Sequence, residues 1–588
     1  MDSKHVTEST SGQEDIQKTW WKEAIIYQIY PRSFQDSDGD GIGDLNGITS
    51  RLDYIQSLGV DIIWLNPIFL SPNDDNGYDI SDYREIMREF GTMEDFDRLL
   101  KEIHKREMRL VLDLVVNHTS DEHPWFEEAR KSRHNPYYNY YHWWPAEKGE
   151  PPLRLSYFDE EGNAWTYNKP TDSYYLHYFS RKQPDLNWEN PEVRQEIFDM
   201  MRFWFDKGID GVRMDSISLI AKDPSFPLID SKKYPDIFSF YAKEPRLHLY
   251  LHEMNRQVLS KYDCMSVGEG SAVMVDDVAK FVDPAREELN MLYHFDAARI
   301  RNTTLPDNPE SGIDYSLIAL KKMFTEWDKA VDKGWPSIYL GNHDQPRMVS
   351  RFGSDKDEFR ALSAKMLITF LLTMRGTPYW FAGDEIGMRN IRFDHIEDYN
   401  DIDTINRYKK AKAEGKDPQA VLDEQKETGR DNARTPFQWD RSPEAGFTAG
   451  TPWLKVNPDY TWINVADEEK DPTSILNYFK KVVSFRKENP SLIYGSYHLL
   501  DAENPQSYTF LRKTGADTYL IMLNFSPKAA ISTPGIDMSN AHVLLDNYGD
   551  RSHMAPQKDI TLRPFEAIVF QLNHPVYESF IDSLDLLE

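Results

Sequence analysis

Residues 211–215 read Gly-Val-Arg-Met-Asp, a short strand-forming run that ends in a carboxylate. Side chains alternate along a strand, so Arg213 and Asp215 lie on one face of it. The preceding segment begins with Asn190-Pro191, a helix start with proline at the first position. The apolar residues at helical spacing in that segment are Val193, Ile197, Met200, Met201 and Trp204. A helix leading into a strand that ends in a carboxylate is typical of βα barrels, whose active sites lie at the C-terminal strand ends.

The same unit recurs along the chain in both directions from this segment. Strand-forming runs alternate with helical segments, in one of which Phe96, Leu99, Leu100 and Ile103 fall on one face. The candidate strands are residues 25–34, 61–68, 109–118, 211–215, 264–269, 289–296, 337–344 and 378–385. Eight strands with intervening helices predict an α/β fold, a (β/α)8 TIM barrel with an inserted subdomain after strand 3 and a C-terminal antiparallel β domain.

Breaks in this alternation divide the chain. We expect a flexible leader over residues 1–18, a barrel over residues 19–118 and 185–498, an inserted subdomain over residues 119–184 and a C-terminal β domain over residues 499–588. The insertion is rich in Trp, Tyr, His, Asn and Pro, and so long a loop is usually functional. The C-terminal segment shows short alternating strands. Residues 399–426 are charged and helical in period, and we expect them to cover one mouth of the barrel.

Composition excludes several classes of partner. The chain of 588 residues has 68 Lys and Arg against 97 Asp and Glu, a net charge of -29 that repels nucleic acid and anionic membranes. The longest strongly apolar run, residues 366–374, is about half of what crosses a bilayer. A lone cysteine, Cys264, excludes an intramolecular disulfide, and residues 1–18 lack the apolar core of a signal peptide. We expect a cytoplasmic protein that is a monomer or a weak homodimer.

Five segments place polar side chains at or near the ends of the predicted strands. A single such carboxylate is more often a helix or strand cap, but strand ends of a barrel converge, and five together predict one site. The segments are Asp113-Leu-Val-Val-Asn117-His118, Gln183-Pro-Asp185-Leu-Asn187, Gly211–Asp215, Val267-Gly-Glu269 and Asn342-His343-Asp344.

These segments, in order and spacing, resemble the shared regions of glycoside hydrolase family thirteen, the alpha-amylase family. The opening run from Trp20 to Phe34 resembles the branch that holds oligo-1,6-glucosidases, alpha-glucosidases and sucrose isomerases. The resemblance implies that Asp215 is the nucleophile, Glu269 the general acid/base and Asp344 a third carboxylate that holds sugar hydroxyls. It also implies that the partner is a small oligosaccharide or disaccharide substrate. The residues expected to bind it are Asp75, Tyr78, His118, Arg213, His343 and one or both of Arg430 and Arg434. Phe158 and Phe179 either stack on a sugar at the pocket mouth or only pack within the fold.

Physical chemistry agrees with those roles. Retaining hydrolysis needs two carboxyl groups about 5 Å apart, one ionised and one protonated. Arg213, beside Asp215 on one strand face, favours an ionised nucleophile, whereas Glu269 among other acids is expected to keep its proton.

A separate acidic loop, residues 36–44, predicts a structural cation site. Carboxylates at alternate positions with glycine at the sixth are typical of Ca2+ binding, with Mg2+ as an alternative, although position twelve lacks the glutamate of an EF-hand. By the same family resemblance, Ile42 contributes its carbonyl. The expected ligand residues are Asp36, Asp38, Asp40, Ile42 and Asp44.

The sequence therefore predicts a retaining, exo-acting alpha-glucosidase that acts on short alpha-glucosides. Ser216, directly after the expected nucleophile, matches none of the residues typical of 1,6-, 1,4- or sucrose-specific relatives, and Gly270-Ser271-Ala272 is a further departure, so the linkage stays open. The alternatives are a sucrose isomerase, whose arginine motif after strand six is not matched around Arg299 and Arg301, and a non-catalytic relative such as the heavy chains of amino-acid transporters.

Overall fold

The structure is a computed structural model that describes residues 18–158, 162–234, 236–296, 316–515, 517–538, 541–551 and 558–572. The predicted leader up to residue 17 lies outside the described residues, as do Arg299 and Arg301.

Eight parallel strands form the predicted (β/α)8 barrel, which is confirmed. The strands are β1 (Ile26–Ile29), β2 (Ile62–Leu65), β3 (Arg109–Val115), β4 (Gly211–Asp215), β5 (Met265–Glu269), β6 (Met291–Tyr293), β7 (Ser337–Ile338) and β8 (Thr377–Phe381). Consecutive strands pair from β1 to β6, and β8 pairs with both β7 and β1. Between β6 and β7 the Ser337 hydroxyl donates to the Leu292 carbonyl at 2.7 Å, which ties the two edges of the sheet together.

Several strands end earlier than the sequence predicts. β1 ends at Ile29 rather than residue 34, because a 3-10 turn with proline in its first position occupies Pro31–Ser33 and proline has no N–H for the ladder. β3 ends before His118, and β7 stops six residues before Asp344. The sequence prediction had counted the first polar residues of the loops above the barrel as strand residues. In those loops the neighbouring backbones no longer pair.

Helices connect the strands and cover the barrel. The predicted helix after β3 is Pro191–Lys207, with the Asn190 side chain accepting from the Glu192 N–H. The helix after β2 buries the predicted face of Phe96, Leu99, Leu100 and Ile103. This helix after β2 is Met93–Lys105. The other barrel helices are Leu45–Ser50 and Leu52–Ser57 after β1, Arg246–Gln257 after β4, Ala279–Val282 after β5, Leu317–Ala330 after β6, Arg360–Thr373 after β7 and Ile475–Glu488 after β8. Short helices span Trp20–Glu23, Pro124–Ala129, Phe238–Tyr241, Met348–Phe352, Asp431–Arg434, Val465–Glu468 and Ser491–Tyr494. The segment predicted to be helical over residues 399–426 forms the pair Ile402–Ala413 and Pro418–Thr428, which ends two residues later than expected.

Four smaller sheets lie outside the barrel in the described part of the chain. In the insertion, Trp143–Pro145, Ser173–Leu176 and Trp165–Asn168 are antiparallel neighbours in that order. In the segment after β2, Phe69–Leu70 pairs with Asp82–Ile86. The C-terminal antiparallel sheet has five strands, in the order Ser496–Leu500, Ser507–Thr514, Asp517–Asn524, Ala567–Leu572 and Ala541–Asp546, beside the pair Ala530–Ser532 and Ile560–Leu562.

The C-terminal sheet is fastened to the barrel by a buried cation. Arg512 is fully buried and donates to the carbonyls of Thr373, Leu492 and Gly495 at 2.6 to 2.7 Å. This sheet begins at Ser496, three residues before the expected start of the domain. Among the described residues no helix combines the length and apolar character needed to cross a membrane. The cytoplasmic location stays a prediction.

Candidate active site

A cavity of about 340 Å³ opens at the C-terminal ends of the barrel strands. It is lined by the predicted residues Asp75, Tyr78, His118, Phe158, Phe179, Asp215, Glu269, Asp344 and Arg430, together with Tyr157, Ser216, Ser271, Ala272 and Phe295. A larger cleft of about 500 Å³ lies at the opposite end, where Cys264 and Ser266 begin β5. Only the first cavity contains the converging carboxylates, so it is the candidate site.

The Arg213 guanidinium joins three carboxylates from three neighbouring strands. It donates from Nη1 to Asp113 at 2.8 Å and to Asp215 at 2.9 Å, and from Nη2 to Glu269. The barrel register places Asp113 directly opposite Arg213 in the ladder between β3 and β4. The backbone N–H of Ser216 also donates to Glu269 Oε2 at 3.4 Å. Asp215 and Glu269 therefore face one another in a single cluster.

The two candidate acids have different proton affinities. Burial raises the pKa of Glu269, Arg213 lowers it and Asp215 raises it again, to about 8. Burial likewise raises the pKa of Asp215 against the opposing effect of Arg213, to about 6. Near neutral pH, Asp215 is thus ionised and Glu269 protonated, and the two groups share a hydrogen bond. The expected order holds, although Arg213 does not bring the pKa of Asp215 below its usual value.

Two buried histidines present neutral rings at the site. Burial lowers the pKa of His343 and of His118 to about 3. Gln28 donates to His343 Nδ1 at 2.8 Å, so His343 Nε2 carries the proton and lies 2.7 Å from the Tyr78 hydroxyl and 3.0 Å from Asp344. His343 lies behind the cavity wall rather than on it. It is placed to orient Tyr78 and Asp344.

The structure separates the two candidate arginines. Arg430 lines the cavity and donates to Asp75 and Asp344 at 3.3 Å each, which closes one end of the pocket. Arg434 is fully buried behind Asp344, to which it donates at 2.9 Å. Burial raises the pKa of Asp344, but His343 and the two arginines lower it by more than burial raises it. The pKa of Asp344 therefore lies well below its usual range. Of the two, Arg430 is therefore the residue that a ligand would meet.

Aromatic rings form the wall nearest the insertion. Phe179 packs 5.1 Å from the His118 ring and stacks on Tyr157, also at 5.1 Å between centroids. The Arg430 guanidinium lies 4.9 Å above the Phe158 ring, and Asn406 donates to the Phe158 carbonyl at 2.6 Å. The helix Ile402–Ala413 thereby holds the insertion over the cavity.

Sequence reasoning did not single out several residues of the site. Asp113 and Gln183 lie inside quoted segments and could have been named from them, and Gln183 donates to Asp75 at 3.3 Å. Lys222 is buried below the site, where it pairs with Asp185 at 3.1 Å. Tyr157 and Phe295 carry no sequence signal, because only the packing of their loops brings them to the cavity.

The acidic loop is only partly assembled as a cation site. Asp36, Asp38 and Asp40 bring one oxygen each within 4.8 Å of one another. Burial and the neighbouring Asp38, Asp36 and Asp44 raise the pKa of Asp40, and a cation would relieve that crowding. Asp44 lies outside this group of three. It caps the helix Leu45–Ser50, and its oxygens accept from Ser37 and from the Gly47 N–H.

One ionised and one protonated carboxyl group, held together above a (β/α)8 barrel, are the chemical equipment for cleaving a glycosidic bond, and the protein is a glycoside hydrolase. The alpha amylase catalytic domain matches residues 28–495. The chain belongs to the alpha-amylase family, as its sequence motifs predict.

Relatives cover nearly the whole chain. The oligo-1,6-glucosidase of Parageobacillus thermoglucosidasius is 51% identical over 571 residues, 95% of this chain and 100% of the relative. The oligo-1,6-glucosidase of Bacillus cereus is 49% identical over 567 residues, with the same coverage. Among solved structures, the trehalulose synthase of Pseudomonas mesoacidophila MX-45 superposes with a TM-score of 0.90 at 43% identity, over 94% of this chain and 99% of the other.

The paired pKa values predict a bell-shaped pH profile. Activity falls below about pH 6 as Asp215 gains a proton, and above about pH 8 as Glu269 loses one. We expect kcat/KM for isomaltose, whose sugar leaving group must be protonated, to show both limbs, measured by initial rates of glucose release at constant ionic strength. The residual activity of Glu269→Gln should lack the alkaline limb, because glutamine does not titrate. An alkaline limb that persisted in this variant would belong to another group.

Proposed function

We propose that the protein is a retaining, exo-acting alpha-glucosidase that removes single glucose units from the non-reducing ends of short alpha-glucosides. The observation that carries the proposal is the shared coordination of Asp215 and Glu269 by Arg213. Asp215 acts as the nucleophile, and Glu269 as the general acid and then the general base.

Retention is supported by the closeness of the two acids. Inverting enzymes separate their carboxyl groups by about 6.5 to 9.5 Å to admit a water, whereas retaining enzymes hold them at about 5 to 5.5 Å. Asp215 and Glu269 share a hydrogen bond and the same guanidinium. This close contact suits direct attack by one carboxylate rather than the wider spacing of an inverting pair.

The reaction then proceeds in two steps. An Asp215 oxygen attacks the anomeric carbon as the glycosidic bond breaks, and the Glu269 proton moves to the departing oxygen, which leaves a glucosyl ester on Asp215. In the second step Glu269, now ionised, takes a proton from water while the water oxygen attacks the same carbon. The ester bond breaks, glucose leaves with its original configuration and both acids return to their starting states.

Exo action is supported by the closed end of the cavity. Arg430 bridges Asp75 and Asp344 behind the site, so a glucan chain cannot pass through. The volume of about 340 Å³ lies at the lower end of the range for small-molecule sites. In this pocket Asp75, Asp344 and His118 would hold the hydroxyl groups of one terminal glucose.

For the linkage we propose alpha-1,6 as the preferred bond. The relatives at 51% and 49% identity are both oligo-1,6-glucosidases. The second candidate is a sucrose isomerase, because the trehalulose synthase superposes closely at 43% identity. An isomerase would use the same two acids but return the glucosyl group to a different fructose hydroxyl instead of to water.

Product analysis separates these two candidates. Given isomaltose, maltose, sucrose and trehalose separately, the purified enzyme should release glucose fastest from isomaltose, and alpha-glucose should form first in a proton NMR time course. Sucrose, if cleaved, should give glucose and fructose. Isomaltulose or trehalulose as the main product from sucrose would contradict hydrolysis, and beta-glucose as the first product would contradict retention.

The two acids should respond differently to replacement. Asp215→Asn removes the nucleophile, so kcat should fall by roughly four or more orders of magnitude with every leaving group. Glu269→Gln should lose far less with 4-nitrophenyl alpha-glucoside than with isomaltose, because nitrophenolate needs no proton to leave. Added azide should rescue turnover only in Glu269→Gln, giving a glucosyl azide. Near-normal turnover of Asp215→Asn would refute the assignment.

We also propose that the acidic loop of Asp36, Asp38 and Asp40 holds a structural Ca2+ or Mg2+, with the Ile42 carbonyl and Asp44 as further ligands. Hard cations prefer oxygen donors of this kind. The loop lies against residues 448–453, since the Thr448 hydroxyl donates to Asp36 and the Trp453 N–H donates to the Gly41 carbonyl at 3.0 Å. A bound cation would therefore fasten the start of the barrel to its last loop.

Cation binding should appear as thermal stability. A cation at one hundred times its Kd should add about 2.7 kcal/mol to the free energy of unfolding. We expect calorimetry to show a lower Tm in EDTA and recovery with Ca2+ or Mg2+. Asp38→Asn combined with Asp40→Asn should abolish this response, and Asp276→Asn, an exposed aspartate elsewhere, should keep it. An unchanged Tm across all conditions would contradict the site.

A further inference from the structure

Ser271 makes a contact with Glu269 that the mechanism above does not use. Its hydroxyl donates to Glu269 Oε1 at 2.8 Å, and its side chain lines the cavity. The other carboxyl oxygen, Oε2, already accepts from Arg213 and from the Ser216 N–H. Oε1 is therefore the oxygen left to carry the proton, and Ser271 is the residue that holds that oxygen.

The turn that presents Ser271 is fixed from both sides. The Gly270 N–H donates to the Tyr293 carbonyl of β6 at 2.7 Å. The Ser218 hydroxyl, from the loop after β4, donates to the Ser271 carbonyl at 2.6 Å. Ala272 then adopts a left-handed backbone conformation with φ of 62°, which a residue with a side chain rarely does. Strain of this kind persists only where the surroundings impose the conformation.

From this geometry we infer that Ser271 is a positioning residue for Glu269, which orients the proton-bearing oxygen toward the leaving group. The inference rests on the proposed function, because it assigns Glu269 the role of acid and base. Ser271 holds Oε1 in both protonation states and moves no proton itself. Its hydrogen bond is stronger to the carboxylate than to the neutral acid, since charge-assisted bonds are the stronger ones.

Ser271 acts on Glu269 against a background of other charges. The ionisable groups that face Glu269 from the surrounding elements are Arg213 and Asp215 on β4, Asp113 on β3, Tyr293 on β6, and Tyr339 and Asp344 after β7. None of them is changed by replacing Ser271. A shift in the alkaline limb of the pH profile therefore reports the hydroxyl contact itself.

The test compares Ser271→Ala, Ser271→Thr and Ser266→Ala. In Ser271→Ala, loss of the hydroxyl should lower kcat about three- to tenfold with isomaltose. The alkaline limb of the pH profile should move to higher pH by roughly half to one pH unit. Ser271→Thr keeps a hydroxyl and should restore both. Ser266 is a buried serine on β5, the strand that carries Glu269, and its hydroxyl donates to Asn290 instead. Ser266→Ala should therefore leave the alkaline limb in place. KM should change little in each variant.

A second measurement keeps this inference separate from the proposed function. The carboxyl infrared band of Glu269, identified by its absence in Glu269→Gln, reports the pKa without turnover. If the wild-type protein does not cleave alpha-glucosides, the proposed function fails and the infrared titration still tests the contact. If it does cleave them and Ser271→Ala keeps the wild-type limb and band, the role of Ser271 alone is wrong. Calorimetry confirms that each variant is folded.

Discussion

A single buried guanidinium is the interaction on which the site depends. Arg213 is 1% exposed, and it can be buried only because Asp113, Asp215 and Glu269 surround it. Removing one partner of such a cluster leaves an uncompensated buried charge, which costs about 3 to 5 kcal/mol. The three strands that supply these acids are adjacent in the barrel, so the ladder register between β3, β4 and β5 fixes where the charges meet. The strand register that the fold requires is thus the same register that brings the catalytic acids to Arg213.

A second charged cluster closes the pocket. Arg430 and Arg434 come from the long loop after β8, and both reach Asp344 at the far side of the cavity. Their positive charges keep Asp344 ionised, whereas burial and the neighbouring Asp215 raise the pKa of Glu269 and let that acid keep its proton. The site therefore holds carboxylates in opposite protonation states a short distance apart. This difference in environment is what assigns roles to chemically similar side chains.

Two neutral histidines accompany these charged groups. His118 lines the cavity and His343 lies behind its wall, and burial keeps both uncharged, so they contribute hydrogen bonds without disturbing the balance between the acids. The aromatic rings of Phe179 and Tyr157 come from the insertion, which the helix Ile402–Ala413 holds through Asn406. The barrel and the insertion line the cavity, and the helix Ile402–Ala413 supports the insertion from outside it.

The sequence alone determined the order of strands and helices, because helix caps and apolar periodicity act within a few residues. It also placed Asp215, Glu269 and Asp344 near strand ends, and the structure gathers all three. It could not give the true strand ends at Ile29, Val115 and Ile338, which depend on where neighbouring backbones diverge. It could not choose between Arg430 and Arg434, nor find Tyr157 or the contact of Ser271 with Glu269. Those features depend on contacts between loops that are far apart in the sequence. Only the tertiary structure decides which of these loops meet.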